Sequence, residues 1–159
     1  MPRVGLGYDI HRLEAGDGIV IATVRVACPY RVVAHSDGDV VLHALCDALL
    51  GAAGAGDLGE QFPDSDPRHA GRDSAEFVRA VLALDALRSW RLVNIDVNII
   101  AQAPRLMEHK PAMRQRLAAL LSLPQSCVGL KARTNESCDA IGEKRAIAAQ
   151  AVVLLEERG

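Results

Sequence analysis

Two histidines bracket the stretch "HSDGDVVLH", His35 to His43, with Asp37, Gly38 and Asp39 between them. A turn needs only the Asp-Gly pair and a helix start needs only Ser36 or Asp39 as a cap, so an imidazole at each end points to a site. Asp9 and His11 stand two apart in "GYDIH", a spacing that puts both side chains on one face of a strand. His43 follows Asp39 by one helical turn and precedes Asp47 by another, so these three share a helical face. Brought together, Asp9, His11 and His43 make a carboxylate with two imidazoles, a three-ligand set with an open position that suits zinc or a similar divalent ion. Asp47 would orient His43 through its second ring nitrogen. On spacing alone the plainer alternative stands beside this one: loop and helix histidines satisfied by neighbouring carboxylates.

Other segments carry weaker signals. His35 and Ser36 immediately precede the helix, where backbone amides favour a phosphate, although a helix cap alone explains the same residues. "GDLGEQFPDSD" gathers Asp57, Asp64 and Asp66 in a loop of Gly and Pro. Such carboxylates suit sugar hydroxyls or a hydrated cation, and equally a solvated turn. "KARTNES" sets Lys131, Arg133, Thr134 and Glu136 just after a strand. Arg and Thr suit phosphate oxygens and Glu suits a Mg²⁺ bridging them, though polar residues after a strand are commonplace. His69 and His109 have no partner that the sequence names and read as surface residues. Tyr8, Trp90 and the methionines read as packing.

The elements that must position these residues follow from periodicity. "RVGLGYDIH" reads as a strand entering a Gly-containing loop, and "GIVIATVRVACPY" as two short strands of a hairpin whose bend no tight-turn dipeptide marks. From Asp39 a helix buries Val40, Val41, Leu45, Ala48, Leu49 and Ala52, and Gly51, Gly54 and Gly56 end it. A second helix starts at Asp73, with Glu76 in a capping-box position, and runs through "AEFVRAVLALDALRSW". "LVNIDVNIIAQ" alternates as a strand, "PAMRQRLAALLSL" opens a helix with Pro, and "CVGLKAR" is another strand. The tail "RAIAAQAVVLLEE" fits a helix by its alanines and a buried strand by its "AVVLL". The order predicts an α/β class, an α+β sandwich in which helices cover one face of a mixed sheet.

With 159 residues the chain makes one domain, 1–159, with a real core. Half its residues are apolar yet only 3% are aromatic, so Val, Leu, Ile and Ala must fill that core. A formal net charge of −2 argues against nucleic acid or an anionic membrane as the main partner. No apolar run spans a bilayer and the N-terminus lacks a signal-peptide core, which places the protein in the cytoplasm. Cys28, Cys46, Cys127 and Cys138 show neither CxxC pairing nor a disulfide framework, which fits that reducing compartment.

Taken together, "GLGYDIHRL", "AHSDGDVVLHALCDALLGAAGAGDLGEQFPDSD", "NIDVNIIAQAPRL" and "KARTNES" resemble, in order and nearly in spacing, the 2-C-methyl-D-erythritol 2,4-cyclodiphosphate synthase family. The resemblance extends over nearly the whole chain. It implies a ferredoxin-like fold, a strand for the tail, and a homotrimer with active sites between subunits. It implies conversion of 4-diphosphocytidyl-2-C-methyl-D-erythritol 2-phosphate to the cyclodiphosphate and CMP in non-mevalonate isoprenoid biosynthesis. By the same resemblance Asp9, His11 and His43 hold Zn²⁺, and Glu136 holds Mg²⁺ or Mn²⁺ with the substrate diphosphate. His35 and Ser36 meet the attacking phosphate, and Asp57 and Gly59 the sugar and methylerythritol portions, with Asp64 and Asp66 in the loop that follows. Ala101, Pro104, Arg105, Leu106 and Met107 lie in the loop that reads cytosine, and Arg133 and Thr134 face phosphates. The catalytic set is then His35, Thr134 and Asp47.

The chain departs from that family in four places, the first being Arg133-Thr134 where the family usually has Thr-Thr. The family's Gly-Gly in the early hairpin is Ala22-Thr23, its Leu-Gly-Phe is Cys138-Asp139-Ala140, and its Gly-Arg-Gly-Glu is Gly142-Glu143-Lys144-Arg145. A glutamate in place of an arginine near a diphosphate calls for a compensating cation, which the sequence assigns to Arg133, with Lys144 and Arg145 as the other choices. It also leaves open an alternative: an impaired trimer that binds a cytidine nucleotide or an isoprenoid diphosphate.

Overall fold

The glycines of "GLGYDIH" do not make a loop. They lie inside a 13-residue strand, β1 (Arg3–Ala15), in the computed structural model, which describes residues 1–63, 65–69 and 71–159. A hairpin follows, β2 (Ile19–Ile21) and β3 (Val24–Val26), then β4 (Tyr30–Val33). The helices α1 (Val40–Ala53), α2 (Leu58–Gln61), α3 (Ser74–Leu82) and α4 (Asp85–Arg88) come next. The second half runs β5 (Trp90–Ile100), α5 (Lys110–Leu121), β6 (Val128–Arg133), α6 (Asp139–Gly142) and β7 (Ala146–Glu157). The tail is therefore a strand, and its "AVVLL" outweighs its alanines because it sits between two neighbours. The main sheet has the order β4-β1-β7-β5-β6, with β5 and β6 parallel and the other pairs antiparallel.

One face of this mixed sheet carries α1, and the reason is steric. Gly5 and Gly7 point at α1, and a Cβ on either would stand 1.8 Å from the carbonyl oxygen of Ala48 or Ala44. Their bare backbones let the helix lie directly on the strand. All six residues expected to line the buried face of α1 are buried, and so are Leu42, Ala44, Cys46 and Leu50, because α3 covers the helix from the other side. Each fully buried leucine there contributes about 1.5–3 kcal/mol of transfer free energy. Asp39 caps α1 by accepting from Val41 and Leu42 N–H, and Gly54, at φ 70°, closes its C-terminus.

Three expectations need correction. The helix starting at Asp73 does not continue to Trp90: it stops at Leu82, a one-turn α4 follows, and Trp90 opens β5. Glu76 does not reach back to complete a capping box but pairs with Arg72 at 2.9 Å. Not every helix is on one face, since Ile141 and Ala140 of α6 pack on Ala146, Ala148 and Ile100 on the opposite face. Toward β1 that face is apolar and open, with Val4, Leu6, Tyr8, Ile10 and Val152 40–68% exposed, whereas toward β5 and β6 it carries the polar Gln150, Asn98, Asp96 and Lys131. Tyr8, read from the sequence as packing, is thus half-exposed on this face.

Three of the four departures share a backbone conformation. Ala22, Thr23, Asp139 and Lys144 all have positive φ, 49°, 65°, 56° and 62°, where glycine is ordinarily favoured. At the hairpin the cost is offset by Asp39, whose buried carboxylate accepts from Ala22 N–H at 2.9 Å and Thr23 N–H at 2.7 Å. At α6, Lys144 occupies the first residue past the cap: Arg145 N–H donates to Ala140 and Lys144 N–H to Ile141, a Schellman motif. Among the described residues no side chain adds a hydrogen bond to the Lys144 backbone as Asp39 does at the hairpin. Lys144→Gly is expected to stabilise the fold by about 1 kcal/mol, the left-handed penalty less the entropy of glycine. Denaturant midpoints of the two proteins check it.

Candidate metal centre

Because α1 lies on β1, a residue of the helix meets residues of the strand. The ligand atoms of Asp9, His11 and His43 lie within 4.8 Å of one another. His11 Nε2 is 2.9 Å from Asp9 Oδ2, His43 Nδ1 is 3.1 Å from the same oxygen, and the two ring nitrogens are 3.0 Å apart. Zinc bonds of about 2.0–2.2 Å in tetrahedral geometry space ligands by roughly 3.4 Å, so an opening of a few tenths of an ångström admits such an ion. The donor set fits as well: one carboxylate oxygen and two imidazole nitrogens.

The electrostatics favour a cation at this point. Burial works against ionisation of Asp9, but hydrogen bonds to His11 and His43 and their positive charge hold its carboxyl well below the usual carboxylate range. Burial likewise depresses His43, yet the hydrogen bond and charge of Asp9, with the charges of Asp39 and Asp37, raise its pKa above the ordinary 6.5. A metal must displace that proton. Affinity for a divalent ion is therefore expected to rise about tenfold per pH unit up to the pKa of His43 and to level off above it. Metal titrations from pH 5.5 to 8.5 check the slope.

Asp47 is not where the sequence puts it. It accepts from Leu58 N–H at 2.8 Å and holds the corner between α1 and α2, while His43 Nε2 turns to Ser74 Oγ at 3.0 Å and Ser36 Oγ at 3.1 Å. The Val41 and Leu42 amides in the first turn of α1 are also taken, by the Asp39 carboxylate. An anion beside His35 and Ser36 would rest on their side chains rather than on the helix terminus.

The metal group opens into a cavity of about 510 Å³ whose walls include His35, Ser36, Asp47, Asp57 and Gly59. Asp57 also caps α2, through Glu60 N–H at 2.9 Å. His69 lines the cavity too, edge-on to Phe62 and Phe77 at 5.6 Å each, so it is no surface residue. No spacing in the sequence marks it, since its loop brings it there only after folding. Asp66 is not among the described residues of the walls; Arg68 holds it through both carboxylate oxygens and keeps its pKa well below the usual range. Asp64 lies outside the described residues.

A second cavity, of about 390 Å³, collects the remaining predicted residues. Ala101, Pro104, Arg105, Leu106, Met107, Arg133 and Thr134 line it, with Gln102 and Lys110. Glu136 adjoins through its Oε1, which accepts from Thr134 Oγ1 at 3.0 Å, and has no part in the Asp9–His11–His43 group. Glu143 does not turn to Arg133. Arg145 Nε donates to it at 2.7 Å, so the compensating cation sits two residues along the same turn. Among the described residues the two cavities share no lining residue. Asp9 and Ala132 lie in one row of the sheet, with Ala149 and Ile99 between them, three strand spacings or about 14 Å apart.

A model of the YgbB family matches residues 2–156. The 2-C-methyl-D-erythritol 2,4-cyclodiphosphate synthase of Methylococcus capsulatus is 49% identical over 158 residues, 99% of this chain and 100% of that one. The bifunctional IspDF of Campylobacter jejuni superposes with a TM-score of 0.93 at 36% identity, over 99% of this chain and 43% of that longer one. A CDP complex of the Plasmodium falciparum IspF superposes with a TM-score of 0.86 at 32% identity, over 99% of this chain and 97% of that one.

Proposed function

Because this chain belongs to the YgbB family, we propose that it converts 4-diphosphocytidyl-2-C-methyl-D-erythritol 2-phosphate to 2-C-methyl-D-erythritol 2,4-cyclodiphosphate and CMP. It is a lyase of isoprenoid biosynthesis by the non-mevalonate route. The 2-phosphate oxygen attacks the β-phosphorus, the bond from that phosphorus to the bridging oxygen breaks, and CMP departs with the bridging oxygen. The observation that carries this reading is the Asp9–His11–His43 group at the wall of a cavity that also presents His35 and Ser36.

The chain supplies positioning more than covalent chemistry, as phosphoryl transfer demands. Asp9, His11 and His43 would hold Zn²⁺ or a similar divalent ion, and Glu136 would hold Mg²⁺ or Mn²⁺ with the substrate diphosphate; bound there, these ions would supply charge neutralisation and Lewis acidity. His35 and Ser36 bind the attacking phosphate. Asp57 and Gly59 hold the sugar and methylerythritol portions. The 101–107 loop takes the cytosine, and Arg133 and Thr134 the diphosphate. No general base is required, because a phosphate is already an anionic nucleophile at neutral pH.

The working unit is a homotrimer. Two features support it: the open apolar face of Val4, Leu6, Tyr8, Ile10 and Val152, and the separation of the metal cavity from the nucleotide cavity within one chain. A substrate that needs both is served where the metal cavity of one copy meets the nucleotide cavity of the next. The compartment is the cytoplasm; among the described residues no helix is long and apolar enough to cross a membrane.

Phosphorus NMR of the protein with its substrate, Zn²⁺ and Mg²⁺ tests the reaction. Signals of CMP and a cyclic diphosphate are expected. A linear phosphate product, or none from protein loaded with metal, would refute it.

A further inference from the structure

We propose that Ser74 and Asp37 are positioning residues that set the tautomer and direction of His43, a role that rests on the reading of Asp9, His11 and His43 as a metal site. The ring of His43 has two occupied ends. Nδ1 faces Asp9 and His11, and Nε2, across the ring, lies 3.0 Å from Ser74 Oγ. Ser74 is fully buried at the first position of α3. Both of its hydrogens go to Asp37: the backbone N–H to Oδ2 at 3.1 Å and the hydroxyl to Oδ1 in a short contact.

Counting protons then fixes the imidazole. With its hydroxyl hydrogen committed to Asp37, Ser74 Oγ has only lone pairs left for His43 and must accept from Nε2–H. A neutral imidazole carrying its proton on Nε2 has its lone pair on Nδ1, which points at Asp9 and His11. Ligating histidines ordinarily donate their other N–H to such a partner, which raises ligand basicity and holds the ring. Here a hydroxyl stands between the imidazole and the carboxylate, and the carboxylate is itself anchored, since Asp37 Oδ1 also accepts Asp39 N–H at 3.1 Å.

Ser36 plays a different part. Its Oγ accepts Gly38 N–H at 3.2 Å and lies 3.1 Å from the same Nε2, so its own hydroxyl hydrogen is uncommitted and free to turn into the cavity. The two serines beside one nitrogen thus divide: Ser74 supports the ligand, Ser36 meets the substrate. The arrangement also ties the ligand to the segment whose Phe62 and His69 line the cavity, because Ser74 ends that segment.

Cobalt(II) titration of the full chain, followed by visible absorption, tests the relay without relying on turnover. The unsubstituted protein is expected to take up cobalt, and Ser74→Ala to bind it 10- to 100-fold more weakly with a shifted spectrum and an unchanged fold by circular dichroism. Asp37→Asn should weaken binding less, and the double variant no more than Ser74→Ala alone, because both act through one hydrogen-bond chain. Equal affinity and an unchanged spectrum in Ser74→Ala would overturn the relay while leaving the metal site standing, as would additive losses in the double variant. No cobalt uptake by the unsubstituted chain would overturn the metal site and the relay with it.

Discussion

His43→Ala is expected to empty the metal site and to lower cyclodiphosphate formation by at least about a thousandfold, the scale of several kcal/mol of lost charge stabilisation. His35→Ala is expected to keep its metal and to lose roughly a hundredfold, as removal of one phosphate donor does. The two histidines belong to one nine-residue stretch, yet the fold sends them to different work. His43 lies inside α1 with Nδ1 against Asp9 and His11, whereas His35 precedes the helix and lines the cavity without joining that group. Metal content by atomic absorption, measured beside turnover, separates them. Equal metal loss in both variants would sink the division of labour, and retention of metal by His43→Ala would remove His43 from the ligand set.

Much of this site was legible before folding, and the reason is local. Asp9 and His11 share a strand face by the two-residue period, and a capped helix from Asp39 fixes where His43 points. What no local rule supplies is which elements touch. The support of His43 illustrates it: Asp47 is one turn away on the same helix and so was the natural choice, but the partner is Ser74, 31 residues on, brought in by α3 packing on α1. Asp47 is drawn instead to Leu58 N–H, a backbone donor of the α1–α2 corner that would otherwise go unpaired. His69 escaped for the same reason, since a loop histidine becomes a cavity wall only through Phe62 and Phe77.

The charge reversal at Glu143 shows a limit of another kind. Taken position by position, a glutamate in place of an arginine calls for a cation elsewhere in the site, and Arg133 is the candidate that the motif offers. Within this turn Glu143 is paired with Arg145, so its charge is offset locally. Arg133 remains with the nucleotide cavity. The open apolar face was also beyond reach, because alternation tells which residues share a face of β1 and not whether a helix or a second copy covers it.

The substitution that tests the whole construction is Gly7→Ala. In a strand facing solvent it would be mild, since alanine favours neither strand nor loop strongly. Here the added Cβ would stand 1.8 Å from Ala44 O, a backbone atom of a helix buried on most sides, so no side chain can swing away. Either β1 or α1 must shift by more than 1 Å as a body, roughly, and a close-packed core resists that. The expected cost is about 3 kcal/mol or more, a large share of the 5–15 kcal/mol by which domains are typically stable. Survivors should bind metal poorly, because Asp9 and His11 ride on one of these elements and His43 on the other, and ligand distances tolerate about 0.2 Å. Gly51→Ala supplies the contrast. It lies in the same helix with nothing within 4 Å of its would-be Cβ, and should stabilise by about 0.5–1 kcal/mol through the better helix propensity of alanine. Opposite signs for one chemical change, measured by unfolding and by metal uptake, would establish that backbone contact between α1 and β1 is what builds the site. A tolerated Gly7→Ala with full metal binding would show that the contact is not required.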